Sequence, residues 1–369
     1  MEDDIRILFT HPFFWPHVVR GAEREIHDLG ARLVSRGHEV SLLTTQPSGL
    51  TARAERSGIR VRYVRVPHRR GRAPGDGLDQ TATFAALAAA GSALSRAEVI
   101  HCWHYADAAA VVRRGRPAVT KITGSVTPEL MSRSPLHERL MLRALARMDE
   151  VWCNSEWARA QMVGFGRDMG IVPAGVDRGR FTAQADRASR PTVLSTCAPE
   201  DPRKRLVDLL DAWPRVLAQV PEAQLRLAGA ASEQTRAALL DRVPEAARES
   251  IAFLGPLDDD HLVAEYSSAW TSVMPAVLEA LGLSTIESLA CGTPVVGADS
   301  GNTPALLSHP HTGRTFEAAH PESLGAAIVD QLAATDQVDR AACRAATDAF
   351  DWEHITDLVE AGYSRIAAH

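Results

Sequence analysis

Short apolar runs alternate with longer segments of helical period from the first residues onward. Residues 5–10 (Ile-Arg-Ile-Leu-Phe-Thr) read as a strand, residues 22–36 as an amphipathic helix closed by Gly37, and Val40-Ser-Leu-Leu-Thr-Thr45 as the next strand. The same signal predicts strands at 59–66, 97–102, 117–122 and 150–154. It then stops at Thr182-Ala-Gln-Ala-Asp-Arg-Ala-Ser-Arg190, which has no apolar periodicity. Beyond this segment the alternation restarts. Strands are predicted at 191–196, 224–229, 251–254, 271–274 and 294–297, helices at 205–219, 233–243, 259–267 and 284–291, and further helices toward the end.

Strands separated by helices imply parallel sheets covered on both faces. The break at 182–190 divides the chain into a domain over 1–182 and a second over 191–350. A length of 369 residues supports two cores of ordinary size. In such sheets ligands bind beyond the carboxyl ends of the strands, so a pair of facing doubly wound domains is expected to hold its ligand in the cleft between them.

Composition narrows the class. An apolar fraction of 45% with 23% charged residues is that of a folded protein without disorder bias. The acidic start Met1-Glu-Asp-Asp4 lacks the cationic and apolar regions of a leader, and no apolar run reaches about 20 residues, so the reading is a cytoplasmic protein without stable membrane insertion. Cys102, Cys153, Cys197, Cys291 and Cys343 are dispersed singly, which argues against disulfides and zinc and for buried thiols. Residues 1–180 hold 26 Lys and Arg against 19 Asp and Glu, whereas residues 181–369 hold 14 against 27. The basic half, with the cluster His68-Arg69-Arg70-Gly71-Arg72, leaves transient contact with an anionic surface open. Aromatic residues do not interleave with the basic run, so nucleic acid is not expected as a partner.

Chemistry concentrates in Pro275-Ala-Val-Leu-Glu279-Ala-Leu-Gly282-Leu283-Ser-Thr-Ile-Glu287-Ser-Leu-Ala-Cys-Gly292-Thr-Pro-Val-Val296. Glu279 falls in a loop after a strand, Gly282 admits close approach to the backbone, and Glu287 falls in the first turn of the next helix. A helix N-terminus can bind phosphate, and a carboxylate beside it can accept two hydrogen bonds from a ribose diol. Ser284-Thr-Ile-Glu287 equally fits a capping box that only starts the helix. Asp201-Pro-Arg203-Lys204-Arg205, just after the first strand of the second domain, supplies cations of the kind that a departing diphosphate needs.

The segment resembles the Glu-x7-Glu region of retaining glycosyltransferases of the GT-B fold, specifically the GT4 family, also called glycosyl transferases group 1. The resemblance extends through His11-Pro-Phe-Phe-Trp-Pro16, Gly21-Ala-Glu-Arg24, Ile171-Val-Pro-Ala-Gly175-Val-Asp177, Phe253-Leu-Gly255, Tyr266, Met274-Pro275 and Phe350-Asp-Trp352. It implies two Rossmann-like domains, with residues 351–369 forming a helix that crosses back to the first. It also implies that Glu287 holds the donor ribose and that Glu279 lies near the transferred sugar. Gly282 and Leu283 would face sugar or phosphates. Lys204 would meet the diphosphate together with Arg203 or Arg205, and Gly21 would allow close approach in the glycine loop. His104 would lie near the reacting sugar, although the family's His-x-His pattern aligns a histidine with Trp103 rather than with His104. No metal or other cofactor is implied, because the co-substrate is itself the nucleoside diphosphate sugar.

Four departures concern the surroundings of the site. Arg20 replaces one of two adjacent glycines, Thr123 stands for a common histidine, Ala305 for a common glutamate, and Ser195-Thr196-Cys197 where an arginine is usual. With Arg20, His104 and Thr123 on the acceptor side, the implied substrate is an altered hydroxyl acceptor such as a small molecule or natural product. Two rival readings are a sugar-nucleotide epimerase, which would convert donor without acceptor, and a non-catalytic sugar-nucleotide-binding protein, which would bind without turnover.

Overall fold

The protein is described by a computed structural model over residues 4–17, 21–45, 51–66 and 78–368. Two compact units result, one from Met1–Ala174 with Glu353–His369 and the other from Gly175–Trp352. The basic cluster at 68–72 and Arg20 lie outside the described residues.

The first unit is built on β1 (Arg6–Thr10), β2 (Glu39–Thr44), β3 (Ala52–Arg56), β4 (Ile59–Tyr63), β5 (Val99–Cys102), β6 (Ala118–Ile122), β7 (Glu150–Cys153) and β8 (Gly170–Ile171). These lie in the order β3-β4-β2-β1-β5-β6-β7-β8. Between them run α1 (Gly21–Ser35), α2 (Leu78–Leu94), α3 (Tyr105–Ala110), α4 (Pro128–Ser132), α5 (Pro135–Arg147) and α6 (Glu156–Met162). All pairings are parallel except β3 with β4. That hairpin departs from the all-parallel expectation. Its edge strand, Ala-Arg-Ala-Glu-Arg, buries little and carries no apolar run, while Ser57 and Gly58, both at positive φ, close the tight turn. Apolar β1, β5 and β6 are buried on both faces and form the centre of the sheet.

The second unit contains β9 (Thr192–Ser195), β10 (Gln224–Ala228), β11 (Ile251–Gly255), β12 (Thr271–Met274), β13 (Val295–Ala298) and β14 (Gly313–Phe316), all parallel, in the order β11-β10-β9-β12-β13-β14. Its helices are α7 (Leu206–Gln219), α8 (Glu233–Leu240), α9 (Glu245–Arg248), α10 (Asp259–Ser268), α11 (Leu283–Ala290), α12 (Thr303–Leu306), α13 (Pro321–Ala333) and α14 (Arg340–Ala345). Val193, Leu225, Val273 and Val296 from the strands pack with Leu209, Leu210 and Trp213 of α7 and Leu324 and Ile328 of α13. β14 is absent from the expected strands because Gly-Arg-Thr-Phe offers only one buried apolar residue.

The first unit ends at Ala174 rather than 182 because the next residues are tied into the second. Val176 N–H donates to Phe350 O at 2.7 Å, and the Arg344 guanidinium donates to Phe181 O at 2.6 Å. Gly175 has no side chain because the Trp352 indole occupies that space. The closing helix α15 (Trp352–Ala367) then packs within the first unit from Glu353 onward. Its Tyr363 hydroxyl meets His101 Nδ1 at 2.8 Å in the core, and Gly362 leaves room for Trp152. At its solvent side Arg36 bonds Glu353, Asp357 and Glu360, each at 2.6 Å, and His38 Nε2 meets Glu360 at 3.0 Å.

Candidate functional site

In the second unit the chain proceeds outward from β9 to β11, then returns to β12 on the other side of β9. Helices therefore depart in opposite directions from β9 and β12, which opens a crevice at their carboxyl ends. Lys204 comes from the connection after β9 and Glu279 from the connection after β12, and the two form an ion pair. Opposite charges are thus joined across the switch point of one sheet.

Each partner is held by local structure. Asp201 caps the 3-10 turn Pro202–Lys204 by accepting from Arg203 N at 3.0 Å, and Arg205 takes a left-handed conformation that reverses the chain into α7. This geometry separates the three cations. Lys204 points to Glu279, Arg203 is exposed and bonds Asp201 at 3.0 and 2.6 Å, and Arg205 clasps the buried Asp208 at 2.6 and 3.1 Å. Burial opposes the Lys204 charge, yet Glu279 outweighs it and raises the ammonium above its ordinary pKa. Burial pushes the neighbouring Cys197 thiol up to about 11, so it remains a neutral neighbour in contact with Met274.

The Glu279 loop is braced by the segment after β13. Leu278 N donates to Ser300 Oγ at 3.0 Å, Asn302 N to Glu279 O at 2.8 Å, and Asn302 Nδ2 to Leu281 O at 3.1 Å. Gly301 lies at φ +66° against the loop, where a Cβ would come within 2.5 Å of Glu279 O and 2.6 Å of its N. Leu278 itself adopts φ +58°, an unfavourable conformation for a leucine, which shows that the brace dictates the backbone.

Gly282, at φ +89°, is the N-cap of α11, and no side chain caps the helix. The capping-box reading fails for that reason. Ser284 lies inside the helix rather than at its cap, which moves Glu287 from the expected first turn to the second. Glu287 is buried and accepts from the Tyr266 hydroxyl at 3.3 Å, while that hydroxyl lies 2.9 Å from Thr196 Oγ1. A carboxylate only accepts, so the protons run from Thr196 to Tyr266 to Glu287. Burial first, and then the Glu287 charge, raise the Tyr266 phenol well above its ordinary pKa and keep it a donor. Thr196 stands among the three residues where an arginine was expected, and Tyr266 registered only as a landmark; neither spacing nor composition marked them as partners of Glu287.

In the first unit the strand order reverses between β1 and β5. Gly21 begins α1 there, and a Cβ on it would meet nothing within 4 Å. His104 caps α3, its Nδ1 accepting from Ala106 N at 3.2 Å with Asp107 Oδ1 at 3.5 Å, and its ring stacks on Tyr105. Thr123 is half-buried, and its carbonyl accepts from Asn154 Nδ2 at 2.9 Å; Ala305, in the second unit, is exposed on α12. The sequence reading also missed a buried ion pair, Lys121 of β6 with Glu25 of α1. Lys121 lies 5.6 Å from the Trp103 ring centroid, and burial followed by the Lys121 charge holds His101 well below its ordinary pKa. A lone lysine in the otherwise uncharged strand Ala-Val-Thr-Lys-Ile was the available signal.

Among the described residues no three His, Cys, Asp or Glu side chains cluster as metal ligands, and no helix is long and apolar enough to cross a membrane. All five cysteines are buried and free.

Residues 19–180 match the model of Glycosyltransferase Family 4, and residues 190–334 match that of Glycosyl transferases group 1. The chain belongs to glycosyltransferase family 4. Among relatives of this family 4 chain, a D-inositol 3-phosphate glycosyltransferase of Mycolicibacterium gilvum is 29% identical over 60% of this chain and 52% of its own length. A phosphatidyl-myo-inositol mannosyltransferase of Mycobacterium tuberculosis is 28% identical over 63% of this chain and 62% of its own. The chain thus spans between half and two thirds of these curated relatives. Solved structures cover more of it. A sucrose-phosphate synthase from Thermosynechococcus elongatus superposes with a TM-score of 0.84 at 22% identity over 99% of both chains. The Anabaena protein Alr3699/HepE, solved with UDP and glucose, superposes with a TM-score of 0.76 at 19% identity over 98% of this chain and all of its own. The fold of the family 4 chain is GT-B.

Proposed function

We propose that the chain is a retaining hexosyltransferase that moves a hexose or amino sugar from a nucleoside diphosphate sugar, UDP-sugar favoured, to a hydroxyl acceptor. The observation that carries the reading is the arrangement at the second unit's switch point, where Lys204 is paired with Glu279 and the Glu287 carboxylate is oriented through Tyr266 and Thr196. Glu287 would accept both hydroxyls of the donor ribose, and the α11 backbone at Gly282 and Leu283 would face the sugar diphosphate. Family membership and the UDP-bound Anabaena neighbour support a nucleotide donor.

In the reaction the C1–O bond to the diphosphate breaks with its electron pair passing to the phosphate oxygen. The acceptor oxygen bonds C1 from the same face, and its proton goes to the departing phosphate. Lys204 would meet the charge that develops there. Arg203 is the better second cation, because its guanidinium, though paired with Asp201, is exposed, while that of Arg205 is half-buried against the buried Asp208. This arrangement would need no metal. In the first unit, His104 keeps Nδ1 as a cap acceptor, which leaves Nε2 as the ring nitrogen for a hydroxyl acceptor.

Titration calorimetry with UDP and GDP tests the assignment. The parent should bind at least one of them, and Glu287→Ala and Lys204→Ala should each weaken that binding at least about tenfold, the effect of losing roughly 1.4 kcal/mol of interaction. Parental affinity in both variants would show the site to be elsewhere.

A further inference from the structure

The helix α5 turns one face to the first unit and leaves the other without a partner among the described residues. Met141, Ala144, Leu145 and, just past its end, Met148 are buried. On the opposite side, at about 100° per residue, Leu136, Arg139, Leu142, Arg143 and Ala146 fall within an arc of about 120° and are all exposed. Leu136 is 48% exposed and Leu142 44%. The preceding α4 adds Leu130 at 45% and the exposed Arg133 at its end. The short turn Val163–Phe165 seats Gly164 against Pro128 of α4 and carries Val163 at 71% exposure. Four of the seven large apolar side chains exposed among the described residues therefore belong to three neighbouring elements.

Within the exposed arc of α5 the charges share one sign. Arg133, Arg139 and Arg143 make no ion pair or hydrogen bond with any described residue, in contrast to Arg113, Arg147 and Arg167, which are turned onto backbone carbonyls. The acids nearby are Glu129 on α4 and the half-buried Glu138 at the flank of the arc; none lies within it. Leucines interleaved with unpaired arginines on one helical face match a surface that is both anionic and apolar beneath. A lipid leaflet with acidic head groups has that layering, with phosphates for guanidinium and acyl chains for leucine. An acidic protein patch offers the charge without the apolar layer.

We infer that the exposed face of α5, with α4 and Val163, docks this chain on anionic lipid surfaces. The docking is peripheral, because the buried face of the helix remains in the protein core. It is independent of the proposed catalytic role, and its test needs no substrate.

The full chain is sedimented with phosphatidylcholine vesicles and with vesicles containing phosphatidylglycerol. It should partition onto the second and not the first, and be released in about 1 M salt, where the screening length is about 3 Å. The Arg139→Glu/Arg143→Glu variant should lower partitioning at least about thirtyfold, as the loss of two surface cations predicts. Leu136→Gln/Leu142→Gln should also lower it, whereas Val207→Gln, an exposed apolar site in the second unit, should not. Melting curves check that each variant is folded. Absence of binding to anionic vesicles at low salt would overturn the proposal and turn attention to an acidic protein partner. Binding that survives both α5 variants would overturn the assignment of the face.

Discussion

Replacing Tyr266 by Phe removes one oxygen from the centre of the Thr196–Tyr266–Glu287 chain and leaves the ring in its packed place. The hydroxyl contact at 2.9 Å is worth about 1 kcal/mol, and the bond to the carboxylate, long at 3.3 Å, about 1.5 kcal/mol. Thr196 is half-buried and can turn to solvent, whereas Glu287 is 7% exposed and cannot readily replace its donor. The expected loss in denaturant unfolding is therefore roughly 2 kcal/mol, without the larger penalty of a cavity. If Glu287 reads the ribose, its carboxylate, no longer aimed by Tyr266, should also bind UDP about tenfold more weakly and discriminate less against the 2′-deoxy nucleotide. Calorimetry with the two nucleotides measures both effects. A destabilised variant with parental affinity and undiminished preference for ribose would refute the idea that Tyr266 aims Glu287, and unchanged stability would refute the hydrogen-bonded chain itself.

Gly301→Ala and Gly166→Ala place alanine at nearly the same left-handed φ, +66° and +68°, but only the first meets other atoms, those of the Glu279 backbone. Gly166→Ala should lose about 1 kcal/mol from its backbone angle alone, whereas Gly301→Ala should lose more because its Cβ drives into the Glu279 backbone, and only Gly301→Ala should also lose nucleotide affinity, as read by thermal shift with UDP. Glu279→Gln removes the charge that raises Lys204 and leaves the burial that lowers it. Because the pair holds fully below the unfolded lysine value and fades as pH rises through the folded one, UDP binding in the variant should fall off at lower pH than in the parent, when titrated between about pH 8 and 11. In the first unit, burial raises Glu25 and lowers Lys121 despite their pairing, so each charge depends on its partner. Lys121→Met should cost about 3–5 kcal/mol in urea unfolding by stranding Glu25, and Glu25→Leu/Lys121→Met should recover most of it.

Where burial is two-sided the sequence announces the fold. Ile-Leu-Phe in β1 and Val-Val-Gly-Ala in β13 are apolar because both faces are covered, and their strands were legible to within a residue or two. β3 was not, since an edge strand with one solvated face needs no apolar run. The placement of Lys204 and Glu279 in the connections after β9 and β12 was legible because an apolar strand run ends just before each. Their mutual pairing was not, since it depends on β9 and β12 being neighbours, a property of strand order rather than spacing. The same limit hid Tyr266, which looks like any core aromatic until its hydroxyl is followed to Glu287. Ser284 shows the opposite error, a local pattern that fits a cap although the helix begins at Leu283 with Gly282 as its N-cap.

The hold of α15 on the first unit has a consequence for how the chain is made. His101 and Tyr363, bonded in the core, are 262 residues apart, and Arg36 waits for carboxylates more than 300 residues downstream. On the ribosome the earlier half emerges first but lacks the piece that covers Trp152 and completes the His101 hydrogen bond. The later half, Gly175–Trp352, contains its whole sheet and can mature before it. Vectorial synthesis is thus answered in reverse order, with the amino-terminal body completed only after the second.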